Sequence, residues 1–256
     1  MKRIDFFGAP AVGKSTVYNN ILKDKKRKWL SPSEAHFKVI KPYIRKQGGL
    51  YRWKKQICNL TPASSALNEK IRKSIVQDSG RDLVLKGEWH DFLRFLIEIL
   101  PSNISHAGRR FEMMERMLYW VYETLPVESF PSPLSVCYDW SWCQRALDRE
   151  FFEITRDDKN NEKFYSLLPA PECAIHLTAP EEAIVERIFE RMTDQQNPEH
   201  RNRNKDVILQ RTRQSLEIAD AGSKILKERG ARVQTIRTDR DIQKVCSDVR
   251  SAISAV

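Results

Sequence analysis

Five short runs of β-branched and aromatic residues punctuate the chain, at Arg3–Phe7, Leu83–Gly87, Leu134–Tyr138, Ala174–Thr178 and Arg232–Ile236. Most are near-continuously apolar, as expected of strands covered on both faces. Long stretches of helical periodicity lie between them, and this repeat predicts a parallel sheet with helices on both sides. The C-terminal helices are clearest. Pro180 opens one, with Glu181 and Glu182 in the first turn, where the helix dipole favours anions. Its Ala183, Ile184, Ile188 and Phe189 are spaced to face a core. Another runs over about 206–228 and stops before Gly230, a suitable C-terminal cap.

Two stretches exceed what a five-stranded sheet needs. The first, about 28–82, holds Pro32, Pro42, Gly48, Gly49 and Pro62; the second, about 91–125, has helical patterns at 91–100 and 109–125. Both are read as helical insertions on one side of a single α/β domain spanning 1–256. That length is near the upper limit for one hydrophobic core.

Composition adds a location for charge. With 41% hydrophobic and 30% charged residues the chain has a globular composition, and its net charge is +10. Residues 1–60 hold 15 Lys and Arg against Asp5, Asp24 and Glu34, while the remainder is nearly neutral. An anionic partner near the N-terminal quarter follows. No uncharged run approaches the roughly 20 residues a membrane span needs, and Asp5 interrupts the N-terminal apolar stretch. Cys58, Cys137, Cys143, Cys173 and Cys246 never form a C-x-x-C pair, which argues against a disulfide framework and fits a cytoplasmic protein.

Directly after the first apolar run stands Gly8-Ala9-Pro10-Ala11-Val12-Gly13-Lys14-Ser15-Thr16, a full match to G-x-x-x-x-G-K-[ST]. Two glycines permit a tight turn whose N–H groups point inward at phosphate oxygens, and the following helix adds its positive end. Lys14 is expected on the β- and γ-phosphates and Ser15 on Mg2+; Gly8, Ala11, Val12, Gly13 and Thr16 complete the cradle. ATP with Mg2+ is the expected ligand.

The loop, the strand order and the C-terminal third together resemble the P-loop nucleoside and nucleotide kinases, most closely the thymidylate-kinase-like branch. The resemblance covers 3–27, 134–153 and 173–256. It implies a five-stranded parallel sheet of order 2-3-1-4-5. The family ends its third strand in Asp-Arg, with a Ser and a Gln further on; here the run is Asp139-Trp140-Ser141-Trp142-Cys143-Gln144-Arg145. Asp139 matches and Trp140 replaces the arginine. The family's Glu-Pro-Gly turn is not reproduced by Glu88-Trp89-His90. Pro169–Arg191 resembles the family's passage of proline-aspartate, strand and acidic helix with two arginines, and Arg211–Ala219 the helix following its lid, here about 187–205, which implies Arg187, Arg191 and either Arg201 or Arg203 over the phosphates. Asp239 lies where the family wraps backbone around adenine. Homodimers are common among such kinases.

Read on its own, Asp139 ends an apolar strand where open α/β sheets bind ligands. A carboxylate there holds a Mg2+-bound water, orients an acceptor, or caps the helix that follows. Glu88, with Asp91 a weaker candidate, is a base for an acceptor hydroxyl; a phosphate acceptor needs none. Trp89, Trp140 and Trp142 adjoin these carboxylates, where an aromatic ring stacks on a base or sugar or packs in the core.

These readings lead to a kinase that moves the ATP γ-phosphoryl to a nucleoside, nucleoside monophosphate or sugar-like alcohol. A nucleic-acid 5′-end kinase is the alternative, because Lys38–Lys55 interleaves Tyr43, Tyr51 and Trp53 with cations. A regulatory ATPase with no acceptor is the third.

Overall fold

The computed structural model describes residues 1–24, 27–36, 38–39, 88–103, 107–148, 151, 155–193 and 205–256. Five strands form one all-parallel sheet: β1 (Lys2–Phe7), β2 (Trp29–Leu30), β3 (Ser135–Tyr138), β4 (Cys173–Thr178) and β5 (Arg232–Arg237). Their order is β2-β3-β1-β4-β5. Four of the five predicted strands are present within two residues of their expected ends. The edge strand differs. Trp29–Leu30 pairs with Ser135–Val136 at the place assigned to Leu83–Gly87, which lies outside the described residues. The stretch 28–82 is therefore not wholly a helical insertion. Two residues are too few for a periodicity to register.

The helices are α1 (Lys14–Leu22), α2 (Glu88–Asn103), α3 (Ala107–Glu128), α4 (Trp142–Arg145), α5 (Asp158–Leu167), α6 (Glu181–Thr193), α7 (Lys205–Glu228) and α8 (Ile242–Ser254). Among the described residues no helix is long and apolar enough to cross a membrane. The chain divides into two units, Met1–Lys2 with Trp29–Val136, and Arg3–Lys28 with Cys137–Val256. In the first, α2 and α3 bury Trp89, Phe92, Leu96, Met113, Met117 and Val121, and the Trp89 indole donates to the Glu128 carboxylate at 3.2 Å.

The second unit carries the rest of the sheet. β1 and β4 pair in register from Ile4↔Cys173 to Phe7↔His176, and Phe7 stacks on the His176 ring at 4.8 Å. One face of β1 is not apolar. Arg3 and Asp5 are two residues apart, hence on the same side, with the Arg3 Nε 3.4 Å from the Asp5 carboxylate and both side chains buried. Among the described residues neither Asp5 oxygen accepts a well-formed hydrogen bond, although the thiol and backbone of Cys143 lie beside it. Burial pushes the Asp5 carboxyl above its ordinary value, outweighing the pull of Arg3. Native Asp5 thus holds its proton more tightly than the unfolded chain does, and the ionised form destabilises the fold as pH rises. We predict that Asp5→Asn is at least as stable as the wild type at pH 8, by about 1 kcal/mol. The gap should shrink as pH falls toward the ordinary carboxylate range. Urea titrations at pH 5 and pH 8 check this; a variant that loses stability at pH 8 would show that the Arg3 attraction dominates.

Candidate functional site

The glycine loop leaves β1 at Phe7 and enters α1 at Lys14. Gly8 has φ +149°, and its N–H donates to the buried Gln144 amide oxygen at 3.1 Å. Ala11 follows at φ +61°, the one non-glycine residue with positive φ among the described residues. Gly13, at φ +102°, takes the N-cap position of α1 and brings no capping side chain. The first-turn N–H groups are thus left to a ligand or water. Ser15 and Thr16 are exposed there.

Lys14 lies back across this loop. Its Nζ donates to the carbonyls of Gly8 at 2.8 Å and Ala9 at 3.0 Å. Burial pushes its pKa down to about 8, helped by the nearby charge of Arg191, while Asp148 and Asp139 oppose the shift. Asp139 and Arg191 therefore stand close enough to Lys14 for their charges to act on it.

Each flank of the loop is tied to a neighbouring strand end. On the β3 side, Ser141 caps α4 by accepting from the Gln144 N–H at 3.2 Å, and its hydroxyl donates to the Phe6 carbonyl at 2.9 Å. The cap is therefore Ser141 and not Asp139. The half-buried Asp139 instead accepts from the Trp140 N–H at 3.0 Å, and desolvation raises its carboxyl above the ordinary value while Arg145 and Lys14 lower it. On the β5 side, the Thr238 hydroxyl donates to the Val12 carbonyl at 2.6 Å. Arg187 reaches from α6 to the same carbonyl at 3.2 Å and to the Thr238 carbonyl at 3.0 Å. Arg187 braces the loop from beside it. Asp239 is held by Arg237 at 2.5 Å, which keeps its carboxyl low.

The chain thus gathers Gly8, Ala11, Val12, Gly13, Lys14, Ser15, Thr16, Asp139, Arg187 and Arg191 around one strand–helix turn. Glu88 is the first residue of α2 in the other unit, and its side chain lies outside the described residues. So do Arg201, Arg203 and the basic segment 40–55. Trp89 and Trp142 are core residues, whereas Trp140 is 64% exposed.

Two residues of the site carry work that the sequence reading had not assigned. Gln144 holds the loop at Gly8, and Asp148, 2.7 Å from Arg145, is the largest of the charges that steady the Lys14 ammonium. The i,i+3 spacing of Arg145 and Asp148 was the available signal for the second. No protein-family model matches the chain, and no curated protein matches it in sequence.

Proposed function

We propose that the protein is an ATP-dependent phosphotransferase. The observation that carries this reading is the glycine loop with Lys14 lying across it. Its positive-φ glycines, uncapped helix start and desolvated ammonium form a setting suited to polyphosphate. On nucleotide binding, Lys14 exchanges the Gly8 and Ala9 carbonyls for phosphate oxygens. Arg191, exposed on α6, adds a second cation to the same region. Phosphoryl transfer spreads negative charge over the γ-phosphoryl oxygens, and fixed cations there lower the barrier.

The donor set near Lys14 suits a hard cation. Ser15 offers a hydroxyl, and Asp139 is a carboxylate that burial has left short of compensating charge. Two such oxygens suffice for Mg2+, which keeps waters and phosphate oxygens as its other ligands. When bound, Mg2+ supplies neutralisation of the β- and γ-phosphates. If the acceptor is an alcohol and Mg2+ is held by Ser15, phosphates and waters alone, Asp139 is instead free to accept the acceptor proton.

The test is ATP consumption with Mg2+ against nucleosides, nucleoside monophosphates, sugars and 5′-hydroxyl oligonucleotides, at 50 and 200 mM salt. Stimulation by a small acceptor, little changed between the two salts, is the expected result. Activity confined to oligonucleotides and falling steeply with salt would establish the end-kinase alternative. ADP formation that no acceptor stimulates would establish the regulatory ATPase.

A further inference from the structure

Trp140 stands where the resembling kinases carry the arginine that follows their strand-end aspartate. The structure gives that exchange a definite shape. Trp140 directly follows Asp139, at the end of β3, and is 64% exposed. Its ring is braced from below, with the Arg145 guanidinium 5.5 Å from its centroid. Arg145 is itself anchored to Asp148 at 2.7 Å, both side chains being about nine-tenths buried, and it donates to the Trp140 carbonyl at 3.4 Å. Arg145 is thus the nearest cation along the chain that could replace the missing arginine, and it is committed to Asp148 and to the underside of the indole.

The sheet order places Trp140 and Thr238 on opposite sides of the glycine loop. β3 adjoins β1 on one side, while Thr238 follows β5, two strands away on the other. At about 4.8 Å per strand the two positions are roughly 14 Å apart across the glycine loop. If the nucleotide base lies on the Thr238 side, as the resemblance to the kinases implies, the Trp140 side of the loop is left to the acceptor.

Resting on the phosphotransferase reading, we propose that Trp140 is a specificity-determining residue. It is a braced platform on which the acceptor lays a planar heteroaromatic ring, so that recognition rests on the ring and not on an acceptor phosphate. A large exposed indole costs solvation, and its bracing removes rotamer freedom in advance, which lowers the entropy lost on stacking. The cation beneath the ring draws on its π density. That weakens its hold on the C–H face of a sugar and favours an electron-rich aromatic face.

The experiment is calorimetric titration of the full chain with Mg·ADP alone and, in its presence, with adenosine, thymidine, their 5′-monophosphates and methyl β-glucopyranoside. Trp140→Phe and Trp140→Ala are titrated alongside, with folding checked by circular dichroism. At least one nucleoside should bind. Trp140→Ala should weaken it by about 5- to 30-fold, and Trp140→Phe should restore it to within about threefold. The matching monophosphate should bind no more than about threefold tighter, well short of what a charge-assisted phosphate contact adds. Mg·ADP affinity should be the same in all three proteins. Four results would overturn the platform: no nucleoside bound, an affinity indifferent to Trp140→Ala, a large gain from the phosphate, or binding of the pyranoside alone. If Mg·ADP binds and ATP turnover depends on Lys14, such a result removes the platform and leaves the phosphotransferase standing. Absence of Mg·ADP binding overturns both.

Discussion

Lys14→Ala should lower ATP turnover by at least about 100-fold, the scale on which single preorganised charge-stabilising groups act, while leaving the unfolding midpoint nearly unchanged. The two halves of this expectation have one cause. The ammonium is desolvated, its hydrogen-bond partners among the described residues being the Gly8 and Ala9 carbonyls, and burial has pulled its pKa to about 8. Such a charge contributes little to the resting fold and much to an anion placed against it. The same shift has a calorimetric signature. Lys14 is about half-ionised at pH 8, and bound phosphates, being anionic, raise its pKa again. Nucleotide binding at pH 8 should therefore take up about half a proton, falling toward zero by pH 6.5, where the free amine is already charged. Titrations in two buffers of different ionisation enthalpy measure the uptake, and Lys14→Ala should abolish it. Undiminished turnover in that variant would sink the assignment.

Gly8→Ala should be the most destabilising small substitution in the loop, costing about 3 kcal/mol or more. A methyl group at Gly8 would lie 2.2 Å from the Leu177 carbonyl oxygen and 3.2 Å from its carbon. Those atoms belong to β4, which pairs with β1 on one side and β5 on the other, so they cannot retreat without breaking a ladder. The φ of +149° adds backbone strain. Gly13 provides the control. Its φ is also positive, but its nearest neighbours, on Arg187 and Thr238, would sit at an ordinary 3.9 Å. Gly13→Ala should therefore lose only about 1–2 kcal/mol, the backbone strain alone. Urea unfolding of both variants gives the comparison, and a Gly13 variant weaker than the Gly8 variant would contradict the close-approach argument.

Legibility in the sequence followed the physics of each part. β3 and β4 announce themselves because a doubly covered strand must be apolar on both faces. β1 shows through Ile4, Phe6 and Phe7 despite Arg3 and Asp5, and the edge strand β5 shows through Val233 and Ile236 between more exposed neighbours. α7 was bounded to about a residue, since a long amphipathic period and a terminal glycine leave little freedom. Trp29–Leu30 could not be seen, because a two-residue edge strand is defined by its partner and not by any pattern of its own. The glycine loop was equally plain: glycines, Lys14 and Ser15 are contiguous, so spacing alone defines the turn. The roles of Gln144, Thr238 and Asp148 come from contacts between residues far apart in the chain, such as the 3.1 Å bond from Gly8 to Gln144. Asp5 was read only as an interruption of an apolar run. Its burial beside Arg3 depends on what covers that face of β1.

The two ties at Val12 and Gly8 have a consequence for the kinetics of ligand capture. The Val12 carbonyl is shared by Thr238 and Arg187, and the Gly8 N–H is held by Gln144, so the loop is suspended from three separate elements before any anion arrives. A nest held open in this way loses little conformational entropy when it is filled. Its association rate should then be governed by diffusion and by the field of Lys14 and Arg191, with little contribution from loop rearrangement. Ionic strength, more than temperature, would set how fast the cradle fills.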